Sequence, residues 1–199
     1  MIESKHEQGS EEWLKDRLGV VTASNFSKVI SKGTGRRTYM LQLAAESLSG
    51  IGQPFFSNAA MEWGTEHESE AREAYELVTD NEVIEKGLIY LTEAKRIGAS
   101  PDGVIGDKGG IEIKCPNSTT HLEWVLAGKL PAKHKAQVQG CMWVCNREWW
   151  DFVTYDPRMK NPLFKITVKR DDDYIRNLQE ECVKFVSELD EMIEKYSNI

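Results

Sequence analysis

The chain has 199 residues, of which 40% are hydrophobic and 29% are charged. This length suits a single domain, 1–199, that buries a full core without disulfide or metal staples. The composition is that of a globular protein rather than a disordered one. We find no apolar run near the roughly 20 residues of a membrane span and no apolar segment of a secretory signal at the N-terminus.

The formal net charge is −7, from 25 basic and 32 acidic residues. This balance excludes a protein that holds nucleic acid by bulk positive charge. It leaves room for a local basic groove or for an acidic cluster neutralised by metal. Two basic clusters either follow a phosphate backbone or are ordinary solvated side chains: Lys28, Lys32, Arg36 and Arg37, and then Lys129, Lys133, His134 and Lys135.

The four cysteines form no C-x-x-C pair and have no histidine at zinc-finger spacing. Cys141 and Cys145 are four residues apart, as on one apolar helix face. We therefore expect buried free thiols and, as the default, a reducing compartment.

The N-terminal part of the chain is mostly helical by pattern. A first helix begins after the N-cap Ser10, a second begins near Thr22, and a third covers 38–49. Residues 58–78 have the 3.6-residue apolar period of a long helix. A strand is predicted over 82–91.

The following segment predicts a hairpin, with strands at 102–105 and 111–114 and turn residues at 107–110. Beyond it we expect helices at 121–127 and 132–144, strands at 150–155 and 163–168, and a long helix at 171–196. This order predicts an α+β fold in which a central mixed sheet is flanked by helices. Its parts are N-terminal helices at about 10–50, a core at about 58–168 and a C-terminal helix at about 171–197.

Three charged residues of this hairpin carry the chemistry. Side chains alternate along a strand, so Glu112 and Lys114 face the same side. A turn centred on residue 107 places Asp102 opposite Glu112, with Cβ atoms about 5 Å apart. Two carboxylates at that distance repel unless a cation lies between them. Hard oxygen ligands without histidine or cysteine favour Mg²⁺ or Mn²⁺ over zinc, and such a site suits metal-assisted phosphodiester hydrolysis.

An E-x-K pair alone occurs by chance in most proteins. Asp102 could then be a turn residue, and Glu112 and Lys114 could belong to a solvated strand face. The spacing of all three across a glycine-rich hairpin favours the nuclease interpretation.

Pro101-Asp102 with Glu112-Ile113-Lys114 resembles the PD-(D/E)xK nuclease motif. More narrowly, the chain resembles the phage lambda exonuclease family, also called YqaJ-type viral recombinases. The matching segments, in the family's order, are Arg17 to Ser24, Trp63 to Glu68, Ser100 to Gly103, Glu112 to Pro116, Ala136 to Gln139 with Met142 to Val144, and Tyr155 to Met159.

The resemblance implies a restriction-endonuclease-like core and an alkaline-type 5′→3′ exonuclease. Such an enzyme degrades one strand of linear double-stranded DNA to mononucleotides and leaves 3′ single-stranded tails. It further implies a ring of three subunits, a single-strand annealing protein as partner, and phage or prophage origin with action in the bacterial cytoplasm.

The resemblance also implies roles for residues at the metal site. Asp102 resembles the aspartate that bridges two Mg²⁺ ions, for which Mn²⁺ can substitute. Glu112 and the backbone carbonyl of Ile113 resemble ligands of the nucleophile-side metal. Lys114 resembles the residue that orients and deprotonates the attacking water, which requires a lowered pKa. Glu68, on the long helix, resembles a further acid of the metal site.

Four more positions match the family. Gln137 resembles the helix glutamine that reaches into the active site. Arg17, Ser24 and Ser100 resemble a pocket for the DNA 5′-phosphate, and an arginine fork suits a terminal phosphate.

Each of these residues has a simpler interpretation as well. Glu68 lies in an acidic run typical of a solvated helix face, and its neighbour His67 is expected near the surface or behind the ligands. Gln137 could hydrogen-bond in the core, and Arg17 could form a surface ion pair.

Two other functions are consistent with the sequence. One is a PD-(D/E)xK endonuclease of restriction or repair type, which shares the metal site but needs no end pocket. The other is a non-catalytic DNA-binding or scaffold subunit in which the carboxylates are structural.

Overall fold

The computed structural model describes residues 2–52 and 58–199. Seven helices lie in these two segments: α1 Glu11–Asp16, α2 Phe26–Val29, α3 Thr34–Ser49, α4 Ala59–Thr79, α5 Ser118–Ala127, α6 Lys135–Val144 and α7 Asp172–Ser197. Short 3₁₀ turns at Ala23–Asn25 and Ala132–His134 lead into α2 and α6. In these segments no helix has the length and apolar character needed to cross a bilayer.

Within residues 2–52 and 58–199, eight strands form two four-stranded sheets in the orders β1-β3-β4-β2 and β5-β6-β7-β8. The strands are β1 Ile2–Glu3, β2 Val21–Thr22, β3 Ile89–Tyr90, β4 Ile97–Ala99, β5 Gly103–Ile105, β6 Gly109–Lys114, β7 Trp149–Tyr155 and β8 Leu163–Lys169. Each sheet contains one parallel pair, β2 with β4 and β6 with β7. The α+β class with mixed pairing and flanking helices is therefore confirmed, with the strands divided between two sheets.

Helix ends follow the local signals in the sequence. The Ser10 side chain accepts a hydrogen bond from the Trp13 amide at the start of α1, as an N-cap does. The Asn58 side chain caps α4 in the same way. At the end of α3, Gly50 has φ 67°, the left-handed conformation that glycine adopts without strain. The predicted start of α3 was wrong by four residues, because the helix already begins at Thr34.

The strand predicted over 82–91 is wrong for most of its length. Only Ile89 and Tyr90 form a strand, and Ile84 makes an isolated bridge to Val104. The backbone at Gly87 instead packs against the N-terminal segment, where a Cβ atom would lie 2.5 Å from the His6 carbonyl oxygen. Strands β1, β2 and β4 escaped prediction because two or three residues are too few for alternation to be recognised.

The hairpin of β5 and β6 has the predicted register. Gly103 pairs with Ile111, and Ile105 pairs with Gly109, so the same register places Asp102 opposite Glu112. The connecting loop is 106–108 rather than 107–110, since Gly109 already belongs to β6.

Glycine is required at this end of β6 for packing. The Trp149 ring covers Gly109, and a Cβ atom there would lie 2.2 Å from it. Trp150 covers Gly110 in the same way. These glycines, which looked like turn residues in the sequence, therefore serve close approach of two aromatic rings.

The sheet of β5 to β8 has a core on each face. On one face, Trp150 and Phe152 join the main cluster with α6 and α7. On the other face, Ile111 and Ile113 pack with Tyr75 of α4. Helix α7 buries a row of apolar side chains at Ile175, Leu178, Cys182, Phe185 and Leu189. All four cysteines are buried free thiols, as expected.

Candidate active site

Four of the predicted catalytic residues lie on or next to β5, β6 and α4, and the fifth, Gln137, lies in α6. Glu112 and Lys114 belong to β6, Asp102 immediately precedes β5, and Glu68 lies in α4. Because β6 is an inner strand between β5 and β7, the Glu112 side chain is fully buried. The structure thus brings a carboxylate into the interior, where it must be compensated.

Asp102 is fixed across the hairpin. Its Oδ2 accepts a hydrogen bond of 2.7 Å from the backbone amide of Ile113. The aspartate is therefore held beside the residue whose carbonyl was predicted as a backbone ligand.

Glu112 has two partners on one oxygen and none on the other. Its Oε1 forms an ion pair with Lys114 Nζ and accepts a hydrogen bond of 2.5 Å from Gln137 Nε2 of α6. Its Oε2 is buried and has no hydrogen-bond partner among the described residues. A buried, unpartnered carboxylate oxygen is costly unless something else binds it.

The three carboxylates interact electrostatically. Burial, together with the charge of Asp102, raises the pKa of Glu68 to about 7 against the opposing charges of Arg72 and Lys114. Burial also raises the pKa of Glu112 to about 7, with Lys114 opposing the rise and Asp102 and Glu68 adding to it. Repelling carboxylates around one lysine form a site that favours additional positive charge.

The pKa of Lys114 moves opposite to the direction predicted for a general base. Burial alone would lower it, but the charges of Glu112, Asp102 and Glu68 raise it above its ordinary value. The sequence could not reveal this, because the net direction depends on how closely the three carboxylates approach the ammonium group.

The donor chemistry fits a hard divalent cation, since the charged donors are carboxylates and one buried oxygen lacks a partner. The side chains are not preassembled as a cage. Across the described ranges, no three His, Cys, Asp or Glu side chains converge in a way that could hold a metal. Ion pairs occupy two of the acids instead, Glu112 with Lys114 and Glu68 with Arg72 at 3.4 Å.

An open cleft of about 830 Å³ lies at this site and is lined by Glu68 of α4 and Lys114 of β6. Trp124, Lys133 and His134 also line it. The sequence placed Lys133 and His134 in a basic cluster, and the structure directs part of that cluster towards the site. In the other cluster, Arg36 forms an ion pair of 2.6 Å with Glu188.

The predicted end pocket is partly assembled. Arg17 Nη1 donates a hydrogen bond of 3.1 Å to Ser100 Oγ, which joins two of its residues. Ser24 Oγ lies 3.3 Å from Thr22 Oγ1 and 3.4 Å from Asn25 Nδ2. Among the hydrogen bonds of the described residues, none joins Ser24 to Arg17 or Ser100.

Sequence reasoning missed Trp13 as part of this pocket. The Arg17 guanidinium lies 4.4 Å from the centre of the Trp13 ring, and Trp13 Nε1 donates a second hydrogen bond to Ser100 Oγ at 3.1 Å. The spacing of four residues between Trp13 and Arg17 is the signal that could have paired them. With both donors on its oxygen, the Ser100 hydroxyl hydrogen is left for another acceptor.

Comparison with known families gives a match over residues 12–148 to the YqaJ-like viral recombinase domain. The chain belongs to the YqaJ-like viral recombinase family. The matched region includes every predicted site residue, from Arg17 to Gln137, on the elements described above.

Solved structures share the fold of this YqaJ-like chain. It is 41% identical to an alkaline exonuclease, LHK-Exo, from Laribacter hongkongensis, with a TM-score of 0.90 and coverage of 95% of this chain and 97% of that one. The structure of LHK-Exo in complex with dAMP gives a TM-score of 0.91. A phage-related exonuclease from Haemophilus somnus 129PT shares the fold at 16% identity, with a TM-score of 0.67 and coverage of 89% of this chain and 96% of that one.

Among curated proteins, an uncharacterized protein of Acanthamoeba polyphaga mimivirus is 30% identical over 163 residues. The match covers 74% of this YqaJ-like chain but only 29% of the viral protein, so the chain spans less than a third of that relative.

Proposed function

We propose that the protein is a metal-dependent 5′→3′ exonuclease acting on linear double-stranded DNA. The observation that carries this proposal is the approach of Glu68, Asp102 and Glu112 around Lys114, with Glu112 Oε2 buried and without a hydrogen-bond partner among the described residues. The similarity over nearly the whole chain to an alkaline exonuclease supports it.

Asp102, Glu112, the Ile113 carbonyl and Glu68 would hold Mg²⁺, at two positions, with Mn²⁺ as a substitute. Metal charge held there would supply Lewis-acid chemistry for the scissile phosphate and would oppose the carboxylate charge that raises the pKa of Lys114. With its pKa lowered in that way, Lys114 would orient the attacking water and accept its proton. Gln137 holds Glu112 in place through Oε1.

The end pocket sets the direction of digestion. Arg17 presents a guanidinium on the Trp13 ring, and the Ser100 hydroxyl keeps a hydrogen to donate, so both suit a terminal phosphate. Ser24, in the 3₁₀ turn Ala23–Asn25, would join the pocket when DNA binds. An enzyme that holds the 5′-phosphate of one strand releases mononucleotides from that end and leaves a 3′ tail.

At the level of assembly, we propose a ring of three subunits around DNA. A chain of net charge −7 gains affinity for DNA by enclosing it more readily than by bulk attraction. We further propose a single-strand annealing protein as partner and action in the cytoplasm of a bacterial host.

The decisive experiment measures nucleotide release from linear duplex in Mg²⁺, with a 5′-phosphate or a 5′-hydroxyl end, and from a circular duplex. The proposal expects release from linear DNA that is faster with a 5′-phosphate and absent from the circle. Cutting of the circle would indicate the endonuclease instead. DNA binding without Mg²⁺-dependent release from any substrate would indicate the non-catalytic subunit.

A further inference from the structure

The segment from Asp156 to Arg158, at the end of β7, is closed by hydrogen bonds between its first and last residues, and the proposed chemistry does not use it. The Asp156 carboxylate is fully buried and accepts hydrogen bonds from Arg158 Nε at 2.7 Å and Nη2 at 3.0 Å. The Arg158 backbone amide donates a third at 3.0 Å. The bond from the Arg158 side chain is the largest cause of a strongly lowered pKa at Asp156, so the pair is ionised at neutral pH.

The guanidinium group of Arg158 packs on a side chain of helix α4. Its guanidinium carbon is 4.2 Å from the centre of the Trp63 ring. Trp63 in turn stacks on His67 with ring centres 3.8 Å apart, and His67 Nδ1 lies 3.0 Å from the Trp63 carbonyl oxygen. We call these three side chains, Arg158, Trp63 and His67, the α4 stack.

The α4 stack ends at the residue before Glu68. At 3.6 residues per turn, Trp63 and Glu68 project about 140° apart around the helix. Trp63 therefore contacts Arg158 at the end of β7, whereas Glu68 interacts with Asp102 and Lys114. A contact that fixes where Trp63 points also fixes how the helix is rotated, and so where the Glu68 carboxylate lies.

We propose that Arg158 is a positioning residue: held by Asp156, it sets the rotation of α4 through Trp63 and thereby places Glu68 at the active site. This inference rests on the proposed function, because it assigns Glu68 to the metal site. It accounts for the Tyr155-to-Met159 segment, to which the proposed chemistry gives no role.

A direct contact between Arg158 and DNA is the competing explanation, since its side chain is 49% exposed. Two of its three guanidinium nitrogens are already bonded to Asp156 and its face is on Trp63, so the bidentate fork is not available to a phosphate. The geometry therefore favours positioning.

The test compares Arg158→Lys, which keeps the charge but loses the planar fork, with Lys160→Ala, which removes an exposed cation two residues away. Calorimetry measures Mn²⁺ binding to the metal-free protein, and initial rates are measured on linear duplex. Loss of a residue that orients a ligand typically costs about 10- to 100-fold in metal affinity or activity. We expect such a loss for Arg158→Lys, none for Lys160→Ala, and no further loss of Mn²⁺ affinity when Arg158→Lys is added to Glu68→Gln.

A second pair of variants, both at Trp63, keeps the test informative if Arg158→Lys fails to fold. Trp63→Phe keeps an aromatic face and should bind Mn²⁺ as the wild type does, whereas Trp63→Leu should behave like Arg158→Lys. Circular dichroism confirms folding of each.

Three results would overturn the inference: wild-type Mn²⁺ affinity in Arg158→Lys, an undiminished loss in the Glu68→Gln background, or a reduced salt dependence of DNA binding in Arg158→Ala with Mn²⁺ affinity intact. The last would assign Arg158 to DNA. If the wild-type protein released no nucleotide but the variants still showed the coupled loss of Mn²⁺ affinity, the result would contradict the proposed function and leave this inference intact.

Discussion

Gln137 and Glu112 are joined by a hydrogen bond of 2.5 Å although 25 residues separate them. The amide donates to Oε1, the same oxygen that pairs with Lys114, and leaves Oε2 unpartnered. Helix α6 thus orients a buried carboxylate of β6 so that its second oxygen is available to a cation.

Gln137→Ala should therefore lower Mg²⁺-dependent activity about 10- to 100-fold, as loss of a residue that orients a ligand does. Gln139 provides the contrast, because its side chain bonds the Lys169 carbonyl and the Asp171 amide instead. Gln139→Ala should lower the midpoint of urea unfolding and leave Mn²⁺ affinity unchanged. Equal effects of both variants on Mn²⁺ affinity, by calorimetry, would contradict the assignment.

Asp102→Asn and Glu112→Gln should each weaken Mg²⁺ and Mn²⁺ binding and abolish nucleotide release, because each removes a charged oxygen donor. A chelator should abolish wild-type release, and added Mg²⁺ should restore it. Asp107→Asn, in the loop of the same hairpin, is the matched control. Calorimetry that found wild-type affinity in both site variants would reject them as ligands.

Lys114→Ala should lose activity while the folded protein still binds duplex DNA. Orientation and proton transfer by one residue are typically worth about 10²- to 10⁴-fold, so we expect a loss in that range. Single-turnover rates at saturating enzyme separate this chemical loss from weaker binding. A variant that kept more than about a tenth of the wild-type rate would exclude this role for Lys114.

Arg17→Ala should remove the preference for a 5′-phosphate. A charge-assisted hydrogen bond is worth about 1.5–3 kcal/mol, or roughly 10- to 150-fold, and a terminal phosphate carries more charge than a diester. The measurement is the initial rate on two linear duplexes that differ only at the 5′ group. Lys15→Ala, which removes an exposed cation of α1, the helix that Arg17 caps at its C-terminus, should keep the preference. If Arg17→Ala slowed both substrates equally, Arg17 would be a general phosphate contact or a structural residue.

Asp156→Asn should destabilise the fold in a pH-dependent way. The bonds from Arg158 hold the pKa of Asp156 well below its ordinary value despite burial. A lowered folded-state pKa stabilises the protein above the unfolded pKa of about 3.9, and that stabilisation is lost as pH falls through the folded value. Because Arg158 is half-exposed, we expect about 1–2 kcal/mol at pH 7.

Urea unfolding of Asp156→Asn and wild type, at pH 7 and in steps below about pH 4, measures that difference. The difference in the free energy of unfolding between the two proteins should become smaller as the pH falls. If that difference did not change with pH, the carboxylate charge would contribute nothing to stability, and the substitution would act through packing.

The sequence by itself determined the features that depend on near neighbours. Capping at Ser10 and Asn58 and the left-handed end at Gly50 each follow from contacts within a few residues. The hairpin register follows from alternation and a short loop, so the opposition of Asp102 and Glu112 was predictable.

Tertiary structure alone decided what depends on segments far apart in the chain. The sheet β1-β3-β4-β2 contains three strands, β1, β2 and β4, that are too short to be recognised in the sequence. The bond from Gln137 to Glu112 requires α6 to pack beside β6. The raised pKa of Lys114 also depends on residues from distant parts of the chain, since Glu68, Asp102 and Glu112 contribute to it. A pKa depends on burial and on the distances to nearby charges. The distances between Lys114 and the three carboxylates are set only when α4 and the hairpin have packed together.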